Sequence, residues 1–92
     1  MKFFSIAVIE DDPKDRERIR ECLSCLESTS DNKFDITEFG TGAAFLDTYR
    51  PDYDIVFMDI QLPGMNGMDC ARLLREKDPS VILIFVTSMA QF

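Results

Sequence analysis

Asp59 is the residue around which any chemistry of this 92-residue chain must be built. It closes the apolar run Ile55-Val56-Phe57-Met58 and precedes Ile60-Gln61-Leu62-Pro63-Gly64-Met65-Asn66-Gly67, a turn rich in proline and glycine. A carboxylate at the end of a strand that stops on such a turn stands at the carboxyl edge of a sheet, where open α/β folds collect ligands. Two other strand-like runs also end in polar groups: Phe4 to Ile9 in Glu10-Asp11-Asp12, and Val81 to Val86 in Thr87-Ser88. Acid, acid and hydroxyl gathered at one rim can bind a hard divalent cation through oxygen and accept a phosphoryl group. A carboxylate attacks phosphorus poorly unless the incoming charge is neutralised and the approach is held in line. The rim therefore needs a rigid frame.

The pattern of apolar residues predicts that frame. Asp12-Pro13 reads as the N-cap and first position of a helix, because proline's missing N–H costs nothing there. Ile19, Cys22, Leu23 and Leu26 then recur at helical spacing, which places the first helix from about Pro13 to Leu26. Glu27 to Lys33 is polar and reads as a loop. Phe34 to Phe39, with Asp35 and Glu38 inside it, suits a strand near a sheet edge. After Gly40-Thr41-Gly42 a short helix is expected to bury Phe45, Leu46 and Tyr49 and to end at Pro51-Asp52. Ile55 to Met58 is apolar on both faces, as a parallel strand covered by helices on both sides must be. From Asn66 or Gly67 to about Lys77 a third helix buries Cys70, Ala71 and Leu74, with Met68 on its flank, and Asp78-Pro79-Ser80 stops it. The order βαβαβαβ argues for one parallel sheet with right-handed crossovers.

Composition narrows the function classes. Acids exceed bases by 7, which disfavours nucleic-acid binding by this chain itself. No apolar run approaches the roughly 20 residues of a membrane span, and Met1-Lys2-Phe3-Phe4 enters the first strand without a cleavage region, so a cytoplasmic location is expected. The three cysteines, Cys22, Cys25 and Cys70, suggest no disulfide framework. Cys22 and Cys25 form a C-x-x-C placed mid-helix, and a zinc site would want a second ligand pair that a chain without histidine does not offer. They are expected to pack as small apolar residues.

These residues resemble a known family. Asp59-x-x-Leu62-Pro63-x-Met65-x-Gly67, the acidic pair Asp11-Asp12 after the first strand, and Thr87 after the fourth look like the receiver domain of two-component response regulators. The wording of Val56 to Gly67 and of Phe85-Val86-Thr87-Ser88 is most similar to receivers of LytTR-type transcriptional regulators. The resemblance implies a flavodoxin-like parallel sheet in the order 2-1-3-4 over residues 1–92. It implies phosphoacceptance on Asp59 from a sensor histidine kinase. Mg²⁺ (or Mn²⁺) would be held by Asp12, Asp59 and the backbone carbonyl of Gln61, with Asp11 acting through a bound water. The Thr87 hydroxyl and loop N–H groups would meet the phosphoryl oxygens. Such a domain is a phosphoacceptor rather than a turnover enzyme. Glu10 reads as a flanking structural acid, Gly64 and Gly67 as backbone devices, and Asp52 and Asp54 as solvated acids at the opposite end of the sheet.

The resemblance also has a gap. Receivers carry a lysine and an aromatic switch residue on a fifth strand, and this sequence has none to match; Lys14 and Lys77 lie elsewhere. The expectation is a receiver that is C-terminally incomplete and impaired in phosphotransfer, or else a metal-binding or interaction fragment. Val81 to Val86 would then be an open apolar edge, inviting self-association as a dimer unless Met89 to Phe92 covers it.

Overall fold

The computed structural model describes residues 2–86. They alternate as β1 (Lys2–Ile9), α1 (Pro13–Thr29), β2 (Asn32–Phe39), α2 (Gly42–Asp47), β3 (Ile55–Asp59), α3 (Gly67–Lys77) and β4 (Ile82–Val86). The strands form one parallel sheet in the order β2-β1-β3-β4, the flavodoxin-like arrangement expected.

Alternation along the central strands divides their side chains between two faces. Ala7, Ile9, Val56 and Met58 face α2 and α3, where Phe45, Leu46, Cys70, Ala71 and Leu74 complete the larger core. Ile6 and Val8 face α1, whose Leu23 is buried against them. At about 1.5–3 kcal/mol for each large side chain fully buried, the two-helix face holds the fold together and the one-helix face adds less. Ile55 and Phe57 on the poorer face are only half-buried.

Three local expectations are corrected. α1 continues to Thr29, and only Ser30 and Asp31 separate it from β2. Polar residues there are helix-ending devices and not a loop. Ser28 and Thr29 hydroxyls donate to the Cys25 carbonyl at 2.9 and 3.1 Å, Ser30 Oγ donates to Leu26 O at 2.7 Å, and the Glu27 carboxylate accepts the Phe34 N–H at 2.6 Å. Among the last carbonyls of the helix, which lack an intrahelical donor, Leu26 O is thus met by hydroxyls and Glu27 O by the Ser30 N–H. The stripe of α1 is also narrower than its spacing suggests. Leu23 is buried and Ile19 half-buried, but Cys22, Cys25 and Leu26 are exposed, so the cysteines do not pack as core residues. α2, for its part, ends before Tyr49, which reaches the core from beyond the helix by stacking edge-on against Phe45 at 5.3 Å.

The amino end of the sheet is laced by carboxylates. The exposed Asp54 is more than a solvated acid, because its Oδ2 accepts the Ser5 N–H at 2.8 Å while its own N–H donates to Ser5 O, fastening β3 to β1 where their pairing begins. Asp78 caps α3 and gathers more partners. Its Oδ2 accepts the Tyr49 hydroxyl at 2.5 Å, and its Oδ1 accepts the N–H groups of Ser80 and Val81 and the Ser80 hydroxyl. The Tyr49 hydroxyl and these donors hold the Asp78 carboxyl below the usual carboxylate range, and burial beside it pushes the Tyr49 phenol up.

Asp78→Ala should therefore lower the urea midpoint well beyond Tyr49→Phe, since the first orphans several donors and the second removes one of several bonds. The difference should shrink as acid protonates Asp78, because a depressed carboxyl contributes stability that is lost as pH falls through its folded pKa.

Candidate functional site

The carboxyl edge of the sheet is organised by register. Ile9 pairs with Met58, so the next residues, Glu10 and Asp59, stand level across adjacent strands. Glu10 stays in the ladder through its N–H to Phe39 O at 3.0 Å. Both acids are nearly inaccessible, Glu10 at 1% and Asp59 at 2% exposure. Asp11 joins them from the surface, and one carboxylate oxygen from each of Glu10, Asp11 and Asp59 lies within 4.8 Å of the other two.

Asp12 is not in this group. Its Oδ1 accepts the Lys14 N–H at 2.9 Å as the N-cap of α1, and its own N–H donates to Glu10 Oε2 at 3.2 Å. A carboxylate committed to the first turn of a helix is drawn away from the rim. The expected pairing of Asp12 with Asp59 is thus shifted by one step, with Glu10 and Asp11 in place of Asp11 and Asp12. The signal was available in the sequence. Glu10 follows its apolar run immediately, as Asp59 follows its own, and acids in that equivalent position end up opposite one another in a parallel sheet.

The loop after Asp59 is built by close approach. The Gln61 N–H donates to Asp59 Oδ1 at 3.2 Å, and the Ile60 N–H ties the loop to Val86 O at 3.2 Å. Gly64 turns the chain at φ +76°, a conformation that suits glycine. At Gly67 a Cβ would sit 2.1 Å from the Asp59 carbonyl oxygen and 2.8 Å from Ile60 Cα, so no side chain is possible where α3 starts against the end of β3. Asn66 caps that helix by accepting the Asp69 N–H at 2.9 Å. Thr87, expected at the same rim, follows Val86 and lies outside the described residues.

Electrostatically the cluster is poised for a cation. Burial pushes the Glu10 carboxyl up to about 8, and the neighbouring Asp59 and Asp11 carboxylates add to the rise against the opposing N–H of Asp12. Near neutral pH Glu10 is thereby favoured in its protonated form, the usual answer to crowded carboxylates. A divalent cation would replace that proton. Three carboxylates converging with no thiol or imidazole form a hard oxygen donor set, which fits Mg²⁺.

Comparison with known proteins agrees with this geometry. Residues 6–91 match the family described as the response regulator receiver domain. The positive alginate biosynthesis regulatory protein of Pseudomonas aeruginosa is 26% identical over 88 residues, which cover 96% of this chain and 35% of that protein. The DNA-binding transcriptional activator EvgA of Escherichia coli is 31% identical over 81 residues, covering 88% of this chain and 38% of the relative. This chain thus spans little more than a third of either relative. Among solved structures, the response regulator TrrA of Thermotoga maritima in complex with Mg²⁺-BeF superposes with a TM-score of 0.78 at 28% identity, covering 99% of this chain and 73% of that one. The non-phosphorylated HemR receiver domain of Leptospira biflexa gives 0.75 at 28% identity over 94% of this chain and 65% of its own.

The buried acid predicts an unusual pH response. Between about pH 4.5 and 8 the folded, metal-free protein holds a proton on Glu10 that the unfolded chain releases. The associated stability is complete below about pH 4.5 and is lost as pH rises through about 8. Urea midpoints measured in chelator should fall across that window, and Glu10→Gln should flatten the fall.

Proposed function

Because this chain belongs to the response regulator receiver domain family, we propose that it accepts a phosphoryl group on Asp59 from a sensor histidine kinase as the receiver part of a longer regulator. The observation that carries this reading is the Glu10–Asp11–Asp59 cluster at the carboxyl edge of the sheet. Glu10, Asp11 and Asp59, with the Gln61 backbone carbonyl, would hold Mg²⁺, and the Mg²⁺-BeF complex of the TrrA neighbour supports that choice. When bound, the cation neutralises charge on the carboxylates and on the incoming phosphoryl group. Asp59 then supplies the attacking oxygen, held in place by the Gln61 N–H on its Oδ1. Backbone N–H groups of the following loop and the Thr87 hydroxyl donate to the transferred oxygens. Asp12 contributes by fixing the start of α1, which keeps Glu10 and Asp11 on the rim. The group is held on the chain as an acyl phosphate, so the domain is a switch whose own chemistry is at most self-directed phosphotransfer and autodephosphorylation.

The LytTR-type resemblance remains part of this proposal and rests on the wording of Val56 to Gly67 and Phe85 to Ser88. Transcriptional relatives such as the activator EvgA support an output on gene expression carried by other parts of the regulator. No helix among the described residues is long and apolar enough to cross a membrane, which is consistent with a cytoplasmic protein.

Incubation with Mg²⁺ and acetyl phosphate followed by mass spectrometry should give one phosphoryl adduct, absent in Asp59→Asn. Titration of Mg²⁺ should show weaker binding in Glu10→Gln and Asp11→Asn but not in Asp12→Asn. Asp12→Ala should instead cost about 0.5–2 kcal/mol of stability through the lost cap. Mg²⁺ binding without an adduct would favour a metal-binding module over a phosphoacceptor.

We also propose that this 92-residue stretch, taken by itself, associates with a second copy through β4. Among the described residues it is the sheet edge, paired only to β3, and Ile82, Ile84 and Phe85 are exposed at 57%, 40% and 37%. An apolar edge strand with free N–H and C=O groups recruits another strand, and lysine on such an edge is a natural deterrent. Sedimentation equilibrium at micromolar concentration should show a dimer that Ile84→Lys dissociates. A monodisperse wild-type monomer would refute the association.

A further inference from the structure

The receiver chemistry leaves two thiols on α1 without a role. Cys22 and Cys25 are free and exposed, whereas Cys70 is buried. Residues three apart on a helix share a face, with Cβ atoms about 5–6 Å apart. A disulfide needs its Cβ atoms at about 3.5–4.5 Å, so closing one would require α1 to unwind locally. A metal ion bonded to both sulfurs at about 2.3 Å each separates them by up to about twice that distance. Two cysteines on one helical face reach that span with the backbone unchanged.

The number of ligands then selects the ion. Structural zinc asks for four donors. The chain has no histidine, and among the described residues the group of three or more ligating side chains is the distant Glu10–Asp11–Asp59 cluster. Cys22 and Cys25 therefore offer two soft donors and no third, and thiolates favour soft ions such as Cu(I), which is content with two. The surroundings suit the complex. Cys22, though not Cys25, borders a cavity of about 280 Å³ with Ile19, Leu23, Leu26 and Phe57, whose apolar wall offers no further ligand on that side. Arg18, one turn before Cys22, lines the same cavity. Two thiols and one Cu(I) give a bis-thiolate anion and two protons, and a guanidinium lining the same cavity favours that single negative charge.

We propose that Cys22 and Cys25 form a two-coordinate site for one Cu(I) ion, independent of the phosphoacceptor rim. The full chain would be titrated anaerobically with Cu(I) against a chromophoric chelator, with protons released and thiols consumed counted in parallel. The expected result is one ion per chain and two protons per ion. Cys22→Ser and Cys25→Ser should each weaken binding by about 10²–10⁴, the usual cost of losing the second arm of a chelate. Arg18→Gln should weaken it less, and Asp59→Asn should leave it unchanged. Both serine substitutions are on the surface, and circular dichroism would confirm that each variant is folded. Unchanged affinity in either serine variant would overturn the proposal, as would equal competition by Zn²⁺ or copper that joins two chains through one cysteine from each.

Discussion

Parallel pairing of β1 with β3 brings two acids level at the end of the sheet and shuts both away from water. Two buried carboxylates side by side cannot both carry full charge without a partner. Burial favours a proton on Glu10 as one answer, and a divalent cation would be another. The surroundings of the pair follow from that need. Asp11 supplies a third oxygen from the surface, the Gln61 N–H steadies Asp59, and Asp12 turns aside to start α1.

Holding the acids there requires the loops to come very close. Gly67 lets α3 begin directly against the Asp59 carbonyl, and its N–H bonds Ile60 O at 2.7 Å. The same economy appears between α2 and α3, where a Cβ on Gly42 would lie 3.0 Å from the buried Cys70 sulfur. These contacts lie on the two-helix face, which carries the larger core. Binding energy collected on that face therefore fixes the geometry of the loop that follows the phosphoacceptor candidate.

The opposite face is built differently. α1 covers it alone through Leu23, with Arg20 paired to Glu38 across to β2. Toward β4 the cover runs out, leaving Phe57 half-buried and Ile82 and Ile84 exposed. Apolar content in β4 is that of an interior strand, yet its position among the described residues is an edge. This mismatch is the basis of the association proposed through β4. It also explains why Cys22 and Leu26, at helical spacing with Leu23, remain at the surface.

Much of this was legible along the chain. Apolar runs, the Asp12-Pro13 start, the Pro-Gly turn after Asp59 and the alternation of strand and helix indicated one parallel sheet with Asp59 at its carboxyl edge, while its strand order came from the family resemblance. Those are local signals, each written in consecutive residues. Other features needed the third dimension. Whether Glu10 or Asp12 stands beside Asp59 depends on the Ile9–Met58 register and on which acid caps α1. The hub at Asp78 depends on Tyr49, which comes from a different part of the chain. Exposure of Cys22 and Cys25 depends on how far α1 extends over the sheet, which their spacing does not reveal. Periodicity says which residues share a face; only packing decides what, if anything, that face meets.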